Sequence, residues 1–228
     1  MSRTHEAWQQ VTRLEHPEGF TMGPINAETF LRDPKHMGFM LSRYKFAAKM
    51  MRRCKSILEV GAGEGLGTLI LVRDTQAQVT ATDFDEQQIR YGQKHVEPHC
   101  GGRITFKVLD MVGQPPGTEF YDGLLAIDVI EHIHPEEEGL FLDHCAAALQ
   151  PGGIGFFGTP NIDTDSFASP PSRAGHVNLF DAERFTETLE KHFSHVFLFS
   201  MNDEVVHTGF SKMAHYFLAL CVKPSAQK

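Results

Sequence analysis

The sequence predicts an α/β fold built on a doubly wound, mostly parallel sheet of seven strands, with an antiparallel hairpin at its C-terminal edge and a helical lid at its N-terminus. Two observations carry this expectation. Between Ser56 and Thr159, short apolar runs alternate strictly with amphipathic ones, the pattern of parallel strands joined by crossover helices on both faces of a sheet. Beyond residue 180, a helical stretch is followed by two apolar runs joined too tightly for a crossover helix, so they read as an antiparallel pair.

The elements follow in order. Residues 1–32 are mixed and polar, with turn signals at Pro17-Glu-Gly and Gly23-Pro, and cannot make a core of their own. Asp33-Pro34 reads as a helix cap followed by proline at the first helical position. Met37, Leu41, Tyr44, Ala48 and Met51 then recur at spacings of three and four, an amphipathic helix from 34 to about 53. Strands are expected at Ser56–Val60, Gln78–Asp83, Ile104–Leu109, Tyr121–Ile127 and Gly153–Thr159. Helices are expected at Leu66–Val72, Glu86–Val96 and Glu136–Leu149, the last ended by Pro151-Gly-Gly. The run Tyr121–Ile127 is nearly all apolar, as befits a strand covered on both faces. Residues 160–180 read as a long loop rich in Pro and Ser, Asp181–His192 as a helix, and His195–Met201 and His215–Val222 as the final strands.

The bulk numbers narrow the function. At 228 residues, with 41% apolar and 22% charged residues, the chain is one α/β domain with appendages. Its formal charge of −8 gives no general attraction to phosphate backbones, so nucleic acid is not an expected partner. The basic cluster Arg43, Lys45, Lys49, Arg52, Arg53 and Lys55 reads as a solvated helix face. Cys54, Cys100, Cys145 and Cys221 form no CxxC pair and suit a reducing compartment. Met1–Gln10 carries no apolar stretch and no run is long enough for a membrane span, so the expected location is the cytoplasm, with no membrane partner.

The chemical centre is Glu59-Val-Gly61-Ala-Gly63-Glu-Gly65-Leu-Gly67, where a strand ends, glycines alternate and a helix starts. Glycine permits positive φ and close approach of a ligand to the backbone. A dinucleotide-binding turn needs G-x-G-x-x-G, and its third glycine position is Leu66 here. An acid at Glu59 would repel a pyrophosphate but favour a sulfonium and its amino group. On these residues the chain resembles the class I, Rossmann-like S-adenosylmethionine (SAM)-dependent methyltransferases, whose first motif is an acid, a hydrophobic residue and G-x-G-x-G. The resemblance extends through Asp83-Phe84, Asp110-Met111, Asp128-Val-Ile-Glu-His132 and Pro151-Gly-Gly to Thr159-Pro160-Asn161.

The resemblance implies SAM as cofactor and divides the chain into a helical extension, 1–53, and a SAM-binding domain, 54–228. It implies that Tyr44, Glu59, Gly61, Gly63, Gly65, Asp83, Phe84, Asp110, Met111 and Asp128 contact the cofactor, with Asp83 on the ribose hydroxyls and Phe84 and Asp110-Met111 at the adenine. Asp83 could instead cap the following helix, and Asp110 could be a turn residue. Methyl transfer to a hydroxyl needs little beyond alignment and removal of a proton, work suited to histidine. His176, within Ala174-Gly-His-Val-Asn, is the first candidate, taking the acceptor's proton or positioning the acceptor. His207 is a second, and His132 is read as holding the loop after the fourth strand. No compact metal cluster is visible around His176, His207 and Asp203, so no metal is expected. A [DN]-P-P-[YF] motif for flipped bases is absent after the fourth strand, which leaves a small-molecule acceptor: a sugar or polysaccharide precursor, a quinone-like phenol or a natural-product intermediate. The segment around His176 resembles a His-Val segment of small-molecule and sugar-modifying methyltransferases, and this resemblance tilts the expectation toward sugars. A non-catalytic SAM-binding protein is the alternative, and a nicotinamide dehydrogenase the disfavoured one.

Overall fold

In the computed structural model, which describes residues 2–14, 16, 19–117 and 120–223, three helices precede the sheet. They are α1 (Arg3–Val11), α2 (Pro24–Arg32) and α3 (Pro34–Met50). The turn signal at Pro17 and Glu18 lies outside the described residues. α3 begins as its sequence dictates, with the Asp33 carboxylate accepting from the Lys35 amide at 3.2 Å and Pro34 in the first turn. α1 and α2 lie in the polar lead segment, where the sequence offered turn signals and no individual helix. Neither has a buried residue. α2 is instead started by a distant group. Its first amides, Ile25 and Asn26, each donate to the Glu64 carboxylate at 2.9 Å.

The sheet follows: β1 (Ser56–Val60), α4 (Thr68–Asp74), β2 (Gln78–Asp83), α5 (Glu86–His95), β3 (Ile104–Val108), β4 (Tyr121–Ile127), α6 (Glu138–Ala148) and β5 (Leu149–Pro160). After β5 come α7 (Pro170–Gly175), α8 (Ala182–Glu190), β6 (His195–Asn202), β7 (Val205–His207) and β8 (Tyr216–Val222). The strands form one eight-stranded sheet in the order β3-β2-β1-β4-β5-β8-β6-β7. β1 to β5 pair in parallel, and alternate residues of each strand face opposite sides. Ile57, Leu125 and Phe156 enter a core with α3, α4 and α5, while Leu58, Leu124 and Phe157 enter a second core with α6 and α8.

Two features refine the reading. β8 inserts between β5 and β6 and pairs antiparallel with both, so β8, not β6, runs against the first five strands. The eighth strand, β7, is a short run that pairs with the end of β6 across a turn at Asp203, whose φ is +49°. The stretch 160–180 is not irregular throughout. The Asn161 side chain starts a 3₁₀ segment, Ile162–Phe167, and Ser169 caps α7. Among the described residues no helix is long and apolar enough to cross a membrane. All four cysteines are free and buried, and burial pushes Cys54 up to about 12.

Candidate active site

Strand order reverses between β1 and β4, and in open α/β sheets the ligand crevice opens at the carboxyl ends of the strands at such a switch point. A cavity of about 580 Å³ lies there. Its lining includes Tyr44, Gly61, Gly63, Asp83, Phe84, Asp110, Met111 and Asp128, eight of the ten residues assigned to the cofactor from sequence.

The other two, Glu59 and Gly65, are absent from the lining. A Cβ on Gly65 would sit 2.5 Å from the Phe106 ring and φ there is +81°, so this glycine admits β3's aromatic side chain. Glu59 lies behind the cavity wall, 1% exposed, on the face of β1 that looks toward α3 and α4. Neither of its carboxylate oxygens has a well-aligned hydrogen bond, and burial pushes its pKa up to about 7. The Thr68 and Tyr44 hydroxyls beside it pull in the opposite direction, and the charge of Asp83 adds to the rise.

The first two glycines are different. Gly61 and Gly63 have φ of +73° and +56°, and a Cβ on Gly61 would lie 2.3 Å from Val129. The Asp83 carboxylate ties β2 to this turn, accepting from the Gly63 amide and the Asp85 amide, each at 2.9 Å. Asp85, not Asp83, caps α5. Asp110 is both a turn residue and a wall residue, since Oδ1 accepts from Val112 and Gly113 at 3.0 Å each.

Asp128 ends β4 with φ of +57°, a strained value for a residue with a side chain. Arg43 of α3 holds it, with Nη1 at 2.7 Å from both carboxylate oxygens and the guanidinium 3.7 Å above the Tyr216 ring. Burial opposes the charge on Arg43, yet Asp128 and Tyr216 outweigh it and raise its pKa. Arg43 therefore does not belong to a solvated face, as the run of basic residues suggested. The α2 residues Ile25 and Asn26, together with Met40 of α3, were not foreseen as wall residues. The only sequence signal for α2 was Gly23-Pro24.

His176, the C-cap of α7, lies outside this cavity. It lines a second one of about 780 Å³ with Arg32, His36, Arg43, Asp203 and His215. Burial and the neighbouring His132 keep its pKa below the usual histidine value. His132 lines the first cavity, and its ring meets the His176 ring edge-on at 5.1 Å. Its Nδ1 is 2.8 Å from the Gly175 carbonyl, so it ties the turn after β4 to the end of α7. His207 lines neither cavity, and its Nε2 lies 2.8 Å from Asn202 Oδ1. The trio His176, His207 and Asp203 does not converge. Among the described residues Glu131, His132 and His176 do, each offering a ligand atom within 4.8 Å of the others.

Residues 57–153 match the methyltransferase-domain family. A relative of this domain is a probable S-adenosylmethionine-dependent methyltransferase of Mycolicibacterium smegmatis, 29% identical over 62% of this chain and 53% of its own length. Another is a ubiquinone biosynthesis O-methyltransferase of Nitrobacter winogradskyi, 35% identical over 49% of this chain and 41% of its own. The chain thus spans about half the length of the curated relatives it matches. Among solved structures, a small RNA methyltransferase, HEN1, aligns with a TM-score of 0.68 at 14% identity, over 83% of this chain and 26% of that one. That likeness shows a shared fold, the Rossmann-like methyltransferase fold. SAM is the cofactor that the domain family and this fold imply, and the site fits it. It offers a glycine cradle with positive φ, a buried acid behind Tyr44 with no well-aligned hydrogen bond, and Asp83 at the end of β2.

Proposed function

We propose that this protein transfers a methyl group from SAM to an oxygen or nitrogen of a small molecule, with a sugar or polysaccharide precursor as the first class to test. The observation that carries the reading is the adjacency of two cavities, with Asp128 in the wall of the first and its partner Arg43 in the wall of the second. When bound, the cofactor's sulfonium supplies an electrophilic methyl carbon: an acceptor lone pair forms the new bond, the carbon–sulfur pair returns to sulfur, and the acceptor's proton is released.

The residues divide accordingly. In this reading Gly61 and Gly63 let the cofactor lie against the backbone, and Asp83 accepts from the ribose hydroxyls with the lone pairs its two amide contacts leave free. Phe84, Asp110 and Met111 frame the adenine, and Glu59 with Tyr44 faces the amino acid end. Gly65 acts through packing. Residues 54–228 make up the methyltransferase domain, and the 1–53 extension covers the cavities through α2 and α3.

His176 works on the acceptor side, taking the acceptor's proton or positioning it. The polar, mixed-charge lining of the second cavity suits a hydroxyl-rich acceptor. A net charge of −8 argues against long nucleic acids. Thermal shift with SAM against NAD tests the cofactor, and transfer of labelled methyl groups to a panel of sugars, phenols and short RNA tests the acceptor. A rise in melting temperature with NAD alone, or transfer to RNA alone, overturns the corresponding half of the reading.

A further inference from the structure

The turn after β4 and the C-terminal end of α7 place three ligand-type side chains together, although Glu131 and His176 are far apart in sequence. The Glu131 carbonyl accepts from the Val177 and Asn178 amides at 2.9 and 3.0 Å, which pins the residues after His176 to this turn. The Glu131 side chain is fully buried, and neither carboxylate oxygen has a well-aligned hydrogen bond, with the Thr159 hydroxyl and the residue's own backbone the donors beside it. A bare buried carboxylate is costly unless a cation or donors compensate it. Arg43 gives its hydrogen bonds to Asp128 and acts on Glu131 only through space. The neighbouring His132 is fixed in a revealing way. Gly175's carbonyl can only accept, so in the neutral His132 ring Nδ1 carries the proton and Nε2 keeps the lone pair a metal needs. Outer contacts of this kind orient metal-ligating imidazoles.

We propose that Glu131, His132 and His176 bind one divalent transition-metal ion at the boundary between the two cavities. The three ligand atoms already lie within 4.8 Å of one another. Metal bonds of about 2.0–2.2 Å require a modest further approach, which the half-buried His176 can supply by rotation. One carboxylate and two imidazoles suit manganese, iron, cobalt or zinc, whereas magnesium and calcium prefer all-oxygen sets. His132 faces the first cavity and His176 the second, so the remaining coordination positions of the ion open toward both. There it polarises an acceptor hydroxyl, whose proton passes to water with no change of oxidation state. His176 then positions the acceptor through the ion and does not itself take the proton. This use of the ion rests on the methyl-transfer reading; its binding does not.

The test is a titration of the metal-free full chain with cobalt(II) chloride, followed by calorimetry and by visible absorption. The expected result is one cobalt per chain with a d–d band. His132→Ala and His176→Ala each weaken binding tenfold or more, while His207→Ala and His95→Ala leave it unchanged. Glu131→Gln should do the same as the histidine variants. If that buried change prevents folding, the two histidine variants decide, since both rings reach the surface. The SAM-dependent rise in melting temperature is measured alongside and is expected to persist in the His176 variant, whose ring lies outside the first cavity. No cobalt binding at millimolar concentration, or binding that survives loss of both histidines, overturns the proposal. An intact SAM response would then leave the methyltransferase reading standing, and its absence in the unaltered chain would break that reading instead.

Discussion

The two cavities are built in opposite ways. The first is walled chiefly by residues at the carboxyl ends of β1, β2, β3 and β4, each a short motif in sequence. The second draws on α2, α3, the end of β5, the 3₁₀ segment, α7, the β6–β7 turn and His215. A site on strand ends inherits its geometry from the sheet register. A site assembled from separate surface segments depends on every contact that docks them. The first region should therefore break by local steric change, and the second by loss of chemistry or docking.

The largest expected effect is at the glycine turn. Gly61→Val places a side chain where a Cβ would already lie 2.3 Å from Val129, at a φ of +73°. SAM should then no longer raise the melting temperature of the folded fraction. Gly65→Ala is the contrast within the same motif. Its clash is with Phe106, so the melting temperature should fall while the protein that remains folded still responds to SAM.

In the second cavity, His176→Ala should lower turnover by about 10²–10⁴-fold, through a lost base or a lost positioning contact, with SAM affinity nearly unchanged. Preserved turnover per folded molecule, with only a lower melting temperature, would make His176 a structural residue and erase the division between the cavities. Asp83→Ala should weaken SAM binding by about tenfold or more in calorimetry, since each hydrogen bond to a charged acceptor contributes about 1.5–3 kcal/mol. Part of this loss would come through the turn, because Asp83 also holds the Gly63 amide. Asp83→Asn, which keeps acceptor oxygens, should lose less.

Glu59 supplies a smaller, pH-dependent test. Burial pushes its pKa from 4.5 up to about 7, so the folded protein holds this proton more tightly than the unfolded chain does. Its contribution to stability without ligand is present below pH 4.5 and is lost as pH rises to about 7, by at most about 3 kcal/mol. A cofactor ammonium nearby favours the charged form, so binding should release a proton. SAM affinity should rise about tenfold from pH 5.5 to 7, and Glu59→Gln should flatten the profile. The smallest effect is expected at Glu64. Removing its carboxylate in Glu64→Ala uncaps α2 at a cost of about 1–2 kcal/mol, and hydrogen exchange over residues 24–32 should quicken. In the unaltered chain, exchange over residues 24–48 should slow when SAM or its product binds. No change there would make α2 and α3 plain supports.

Asp83 and Asp110 were legible because one ends a strand, the other lies two residues beyond one, and each leads into a turn, so neighbours in sequence decide where they point. The place of His176 beyond the fifth strand was legible, but not its meeting with His132 and Glu131. That meeting depends on the Glu131 carbonyl capturing two amides more than forty positions away. α2 was invisible for the same reason: its cap is Glu64, 38 and 39 positions distant.

By itself the sequence determined the strand–helix alternation, the glycine turn and the acids at the strand ends, because apolar period and backbone freedom act over a few residues. Tertiary structure alone decided that β8 enters between β5 and β6, that Arg43 is spent on Asp128, and that Gly65 serves Phe106. It alone gathered Glu131, His132 and His176. Those outcomes turn on which buried charge finds which partner and which face a distant strand covers. Such choices are settled by desolvation and packing between segments that no local pattern connects.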